Sequence, residues 1–268
     1  MDKSKVERGY YIVMSQTDII KTDVNQSDIR NADKSQTDTG RTDVSQADYR
    51  RIYTNKSGLA APERREKIGI MGGTFNPIHI GHLIIAEDIC EKANLDKVLF
   101  IPSGQPPHKP DSEVAAAEHR YEMVRLAVAS NSNFEASRIE LDRDGYTYTI
   151  NTLLELREKY GRNTDIYFII GADVVHELKT WREYERVFAL CEFIAVLRPG
   201  FDENALKNTI SQLAQEHGAV IHPVTSRLID ISSTDIRERC RNGKSIRYLV
   251  PEPVEEYILR NGLYRAEK

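Results

Sequence analysis

The sequence predicts an α/β fold built on a doubly wound parallel sheet. Three observations lead there. From Lys67 onward, short apolar runs suited to buried strands alternate with longer stretches of helical apolar period. Alternation of this kind implies parallel strands joined by crossover helices. The chain's glycine-, hydroxyl- and histidine-bearing strings each fall just after a strand run or at a helix start, where open α/β sheets bind ligands.

The elements follow in order. Ile68, Ile70 and Met71 mark a buried strand over 67–71, after which Gly72 and Gly73 let the backbone turn and approach a ligand closely. Beyond Pro77, the apolar positions Leu83, Ile84, Ile85 and Ile89 predict a helix over 80–93. Lys97-Val98-Leu99-Phe100-Ile101 reads as the second strand, and helices are expected over 117–130 and 149–160. Asp165-Ile166-Tyr167-Phe168-Ile169-Ile170 gives a further strand, with others over 191–197 and 219–222. Helices over 182–190, 203–216, 233–241 and 252–260 complete a Rossmann-like arrangement.

Before this region lies a different texture. Aspartates recur every fifth residue from Asp18 to Asp48, each preceded by Thr, Ser or Ala. The spacing is similar to pentapeptide-repeat coils, but Lys34 and Thr39 fall where such a coil needs a large apolar side chain. Seven repeats also stack too little to bury a core. Residues 1–66 are therefore expected to be a disordered polar repeat extension and linker, with the catalytic domain over 67–268.

Composition narrows the function classes. A net charge of −4 with mixed signs gives no reason for a nucleic-acid-binding surface. Cys90, Cys191 and Cys240 have neither metal-ligand spacing nor an even count, which fits a reducing cytoplasm. No leader or membrane-spanning run is read from the chain. Homo-oligomer formation is left open.

Two strings and three single residues carry the chemistry. In Gly72-Gly73-Thr74-Phe75-Asn76-Pro77-Ile78-His79-Ile80-Gly81-His82, a strand, a glycine turn and a helix start form an anion site, since free backbone N–H groups and the helix dipole face the ligand. His79 and His82, three apart on the first turn, place two donors beside a phosphate. Ser232-Ser233-Thr234-Asp235-Ile236-Arg237 reads as a capped helix start whose hydroxyls and arginine can hold phosphate oxygens. Lys109, on a proline-rich loop, can set a point charge on phosphate. Asp173 follows an apolar strand and can accept ribose hydroxyls; Trp181, the sole tryptophan, can stack on a pyridine ring or fill the core.

The His79-Ile80-Gly81-His82 tetrad resembles the nucleotidyltransferase superfamily signature, which class I aminoacyl-tRNA synthetases share. The Ser-Ser-Thr-x-x-Arg string over 232–237 narrows the resemblance to the nicotinate-nucleotide adenylyltransferase family. The string from Pro102 to Lys109, Tyr146 to Leu153, and Gly171-Ala172-Asp173 with Trp181 match that family in order. Asn76 and Asn151 stand where it usually or often has Asp. The resemblance implies AMP transfer from ATP to nicotinate mononucleotide, giving deamido-NAD and pyrophosphate, with Mg²⁺ held mainly through the phosphates and no metal site in the protein. It further implies catalysis by His79, His82 and Arg237. Phosphate binding would fall to Gly72, Gly73, Thr74, Phe75, Lys109, Ser232, Ser233 and Thr234, and the acceptor and ribose side to Tyr148, Thr149, Gly171, Asp173 and Trp181. Two other readings stay open: an adenylyltransferase for another phosphate acceptor such as pantetheine phosphate, and an interaction protein acting through the repeats.

Overall fold

A computed structural model describes residues 64–104, 114–197, 203–227 and 229–266. The repeat extension lies outside the described residues but for its last three positions, and Lys109 lies outside them too. Six parallel strands form a single sheet: β1 (Glu66–Gly73), β2 (Lys97–Pro102), β3 (Phe134–Ala136), β4 (Thr164–Gly171), β5 (Glu192–Leu197) and β6 (Ile221–Thr225). Their spatial order is β3-β2-β1-β4-β5-β6. The helices are α1 (Ile80–Lys92), α2 (Ala117–Val128), α3 (Thr149–Tyr160), α4 (Tyr184–Leu190), α5 (Glu203–His217), α6 (Ser233–Arg241) and α7 (Glu252–Arg260).

The strand runs are apolar on both faces because helices cover both faces. Along β1, Ile68 and Ile70 join a core with Ile150 and Leu153 of α3 and Phe188 of α4. Met71 points the other way, into a core with Ile85 and Ile89 of α1, Met123 of α2 and Ile258 of α7. Gly69 shares that second face: a Cβ there would stand 2.7 Å from Leu95 Cδ1, so the Leu95 side chain from the α1–β2 connection packs directly on the strand backbone. Ile85 and Ile89 are fully buried, worth roughly 1.5–3 kcal/mol each in apolar transfer.

Two elements are absent from the sequence reading. β3 has three residues, too few to show alternation, and is held by parallel pairing of Val98 with Phe134 and Phe100 with Ala136. A 3-10 helix, Ala172–Thr180, follows β4. The sixth strand runs over Ile221–Thr225 rather than 219–222, and carries Pro223 where an edge strand tolerates it.

The strand order fixes where a ligand goes. β1 pairs with β2 on one side, Ile70 opposite Leu99, and with β4 on the other, Ile70 opposite Phe168. The chain winds outward to β3, then returns to lay β4 against the free side of β1. Connections leaving β1 and β4 therefore diverge, and a crevice opens at their carboxyl ends.

Candidate active site

That crevice is a cavity of about 400 Å³, of the size that holds small ligands. Its floor is the turn after β1. A Cβ on Gly72 would lie 3.3 Å from Phe168 Cζ, and one on Gly73 would lie 3.4 Å from the Phe75 ring. Phe75 adopts φ +48°, a strained value for a residue with a side chain. Its buried ring offsets the strain by packing edge-on to His82, centroids 5.1 Å apart, and 6.1 Å from Phe100.

Asn76 ties the turn to three distant segments. Its Oδ1 accepts from the Ala115 amide at 3.0 Å and from the Tyr264 hydroxyl at 2.9 Å. Its carbonyl accepts from Arg237 Nη1 at 2.9 Å. Ser233 Oγ adds a bond to the Pro77 carbonyl at 2.8 Å. The neutral amide thus sits at a junction of donors, a role that its place in the motif alone does not reveal.

The two histidines of the tetrad differ. The His79 amide donates to His82 Nδ1 at 3.2 Å, so a neutral His82 carries its proton on Nε2 and remains a donor there. The rings stack with centroids 3.7 Å apart. Burial pushes the His79 pKa down to about 3. Burial, and then the neighbouring His79, hold His82 well below the ordinary imidazole value. His82 lines the cavity; His79 does not, lying buried against its partner with Nδ1 lacking any hydrogen bond. The glycine between them leaves little room for a side chain: a Cβ on Gly81 would stand 3.0 Å from His79 Nδ1.

Opposite lies the start of α6, capped as expected by Ser232, whose Oγ accepts from the Asp235 amide at 3.0 Å. Arg237 spends Nη1 on Asn76 and reaches Thr234 Oγ1 at 3.4 Å with Nη2, while its buried Nε has no partner. Ser232, Ser233, Thr234 and Arg237 all line the cavity, as do Gly72, Gly73, Thr74 and Phe75. Hydroxyls, amides and one guanidinium therefore face the same volume as the His82 ring.

The far end is walled by Thr149, Gly171, Asp173 and Trp181. Trp181 meets both expectations for it: its ring contacts core residues Phe168 and Phe193 edge-on, at 5.8 and 6.2 Å, and it also lines the cavity. Tyr148 precedes α3 as its cap, but its ring lies under the Arg182 guanidinium at 4.7 Å and does not line the cavity. What position 148 offers is therefore backbone geometry at the α3 start. Ser103, Glu140 and Thr147 also line the cavity and were not singled out from sequence. Ser103 and Thr147 fall inside the strings over 102–109 and 146–153, whereas Glu140 lies outside every string noted.

The chain's similarities agree with this geometry. The cytidylyltransferase-like family profile matches residues 70–239. A protein of Thermoanaerobacter sp. (strain X514) named "Probable nicotinate-nucleotide adenylyltransferase" is 47% identical over 206 residues, 77% of this chain and 98% of that protein. One of the same name from Moorella thermoacetica is 50% identical over 202 residues, 75% of this chain and 93% of that one. The solved structure of Plasmodium falciparum nicotinic acid mononucleotide adenylyltransferase complexed with NaAD shares the fold, with TM-score 0.61 at 19% identity over 74% of this chain and 97% of that one. With identity near one half over nearly the full length of such relatives, the chain belongs to the nicotinate-nucleotide adenylyltransferase family.

Proposed function

We propose that the cleft holds the ATP phosphates between the β1 turn and the start of α6, with nicotinate mononucleotide against Thr149 and Trp181. The enzyme transfers AMP from ATP to nicotinate mononucleotide and releases pyrophosphate, a step of NAD biosynthesis. The acceptor's 5′-phosphate oxygen forms a bond to the α-phosphorus as the bond from that phosphorus to the bridging oxygen of pyrophosphate breaks. The electron pair leaves with the pyrophosphate. Catalysis here is positioning and charge stabilisation, with no covalent enzyme intermediate.

His82 donates Nε2–H to a phosphate oxygen and keeps its proton, because burial makes a charged imidazolium costly. His79 backs the ring by stacking and orients it through its amide. Arg237 and the hydroxyls of Ser232, Ser233 and Thr234 take up charge on the leaving pyrophosphate, where preorganised donors act most strongly. Lys109 joins them in this proposal. Among the described residues no group of three His, Cys, Asp or Glu side chains could hold a metal. In this proposal Mg²⁺ arrives as part of the nucleotide substrate, held by phosphate oxygens. No helix of the described residues is long and apolar enough to cross a membrane, and with three unpaired-count cysteines a cytoplasmic location fits.

One observation supports the reading most: donors from the β1 turn, α1 and α6 share one cavity with Thr149, Asp173 and Trp181. The test is pyrophosphate release from ATP with nicotinate mononucleotide, nicotinamide mononucleotide or pantetheine phosphate. A carboxylate gains from the N–H groups at the α3 start, whereas a carboxamide leaves donors facing donors, a difference of roughly 1–3 kcal/mol. Nicotinate mononucleotide should lead in kcat/KM by at least about tenfold. Equal rates on both pyridine nucleotides would refute the placement of the acceptor, and a preference for pantetheine phosphate would refute the acceptor itself.

A further inference from the structure

Arg120 is a large, fully charged side chain with almost no solvent exposure, at 2%. Among the described residues, no carboxylate is bonded to it in the way a buried guanidinium usually requires. Instead all three of its nitrogens donate to backbone carbonyls: Nε to Ala115 at 2.9 Å, Nη1 to Thr74 at 2.9 Å and Nη2 to Gly104 at 3.0 Å. Thr74 belongs to the phosphate-side turn, and Gly104 follows β2 on the opposite wall.

The other face of Gly104 meets Glu140. That carboxyl accepts from Thr152 Oγ1 at 2.7 Å, and the Thr147 side chain and the Gly104 amide lie close enough to favour its charged form. Burial pushes its pKa up, and those neighbours oppose the rise. Thr152 lies in the first turn of α3, and Glu140 and Thr147 both line the cavity. Gly104 has no room for a side chain: a Cβ would stand 2.4 Å from the Glu140 carbonyl oxygen and 3.0 Å from Thr147 Cγ2.

We propose that Arg120, bonded to the Gly104 carbonyl, and Glu140, packed against that glycine and bonded to Thr152, are positioning residues that set the acceptor wall of the cleft against its phosphate turn. This rests on the acceptor lying at the α3 start. Glu140 fixes that start through Thr147 and Thr152, and Arg120 carries the position across to Thr74. Stability alone does not call for such a pair, since apolar side chains would fill the same space without buried charge.

The test uses the full chain and measures KM for nicotinate mononucleotide and for ATP separately. Quenching of Trp181 fluorescence by the acceptor gives binding directly, since the chain has a single tryptophan. Glu140→Gln keeps an acceptor for Thr152 but turns an N–H₂ toward the Gly104 amide. It should raise the acceptor KM about tenfold, while the ATP KM stays within about twofold. Arg120→Lys, with one nitrogen in place of three, should lower kcat by about tenfold or more. Combined, the two changes should cost less than the product of their separate effects, because either one frees the same glycine. Independent, multiplying losses, or equal shifts in both KM values for Glu140→Gln, would overturn the pairing. Should Arg120→Lys fail to fold, Gly104→Ala keeps both charged groups and displaces the wall. It should reproduce the acceptor-selective rise, and unchanged kinetics there would equally overturn the proposal. Wild-type turnover in the same assay decides the reaction itself separately.

Discussion

The stacked histidines make the stability of this enzyme pH-dependent in a range above the one where Asp88 and Glu122 titrate. His79 stays neutral in the fold down to about 3, and His82 is likewise held neutral by burial and by His79. In the unfolded chain both rings take a proton below about 6.5. Between those values the unfolded state binds protons that the native state refuses, so stability falls as pH falls. Each unit below the unfolded value costs ~1.4 kcal/mol per ring, so at about pH 5 the loss from His79 is ~2 kcal/mol, and His82 adds to it in the same direction. That is a sizeable part of a typical stability of about 5–15 kcal/mol. Asp88 and Glu122, whose values are lowered by hydrogen bonds from Lys92 with Ser226 and from Arg125, lose their contribution only in the more acidic carboxylate range. Glu140 works in the opposite direction, since its raised value lets the folded chain take a proton first. Urea unfolding of the wild type and of a His79→Asn, His82→Asn double variant, each at about pH 7 and pH 5, isolates the pair. The wild type should lose ~2 kcal/mol or more over that interval and the variant far less. Parallel losses would refute the neutral stacked pair.

Three other outcomes are expected. His82→Ala should lower kcat roughly 10²–10³-fold with the fold intact, as loss of one preorganised donor does, and wild-type kcat should show no acid limb near the ordinary imidazole pKa; unchanged turnover or such a limb removes the neutral-donor role. Arg237→Lys, unable to reach Asn76 and the phosphates together, should lower kcat by about tenfold or more, read by pyrophosphate release. A chain beginning at Glu63 should turn over like the full chain, because relatives covered over 98% and 93% of their length span only 77% and 75% of this one; an inactive shortened chain would give the extension a part in the reaction.

How much could be read in advance follows from how local each signal is. The β1 turn, the tetrad and the α6 cap are continuous strings whose spacing encodes their geometry, and the structure places them around one cavity. The major strands and helices carry full periods and were legible for the same reason. The 3-10 helix lacks the 3.6-residue repeat, and β3 is shorter than one alternation, so neither left a signature. Arg120 and Glu140 were invisible because each looks like an ordinary helix or loop charge; only the tertiary fold shows Arg120 bonded to Thr74, 46 residues away. Histidines left out of the site find other partners: His119 meets the Tyr257 hydroxyl at 2.9 Å and His222 meets Glu192 at 2.6 Å.

The bonds at Asn76 also set an order of events for the nascent chain. The phosphate-side turn is made early, yet it is held by Arg237, 161 residues later, and by Tyr264, 188 residues later. The α1 amide of Ile80 likewise waits for the Leu249 carbonyl. Contacts of such sequence separation form only after long loop closure. A ribosome-bound chain can therefore bury much of the sheet while the bonds at this turn are still unmade. The turn after β1 is thus tied down last, once the final two helices and the Tyr264 hydroxyl are in place.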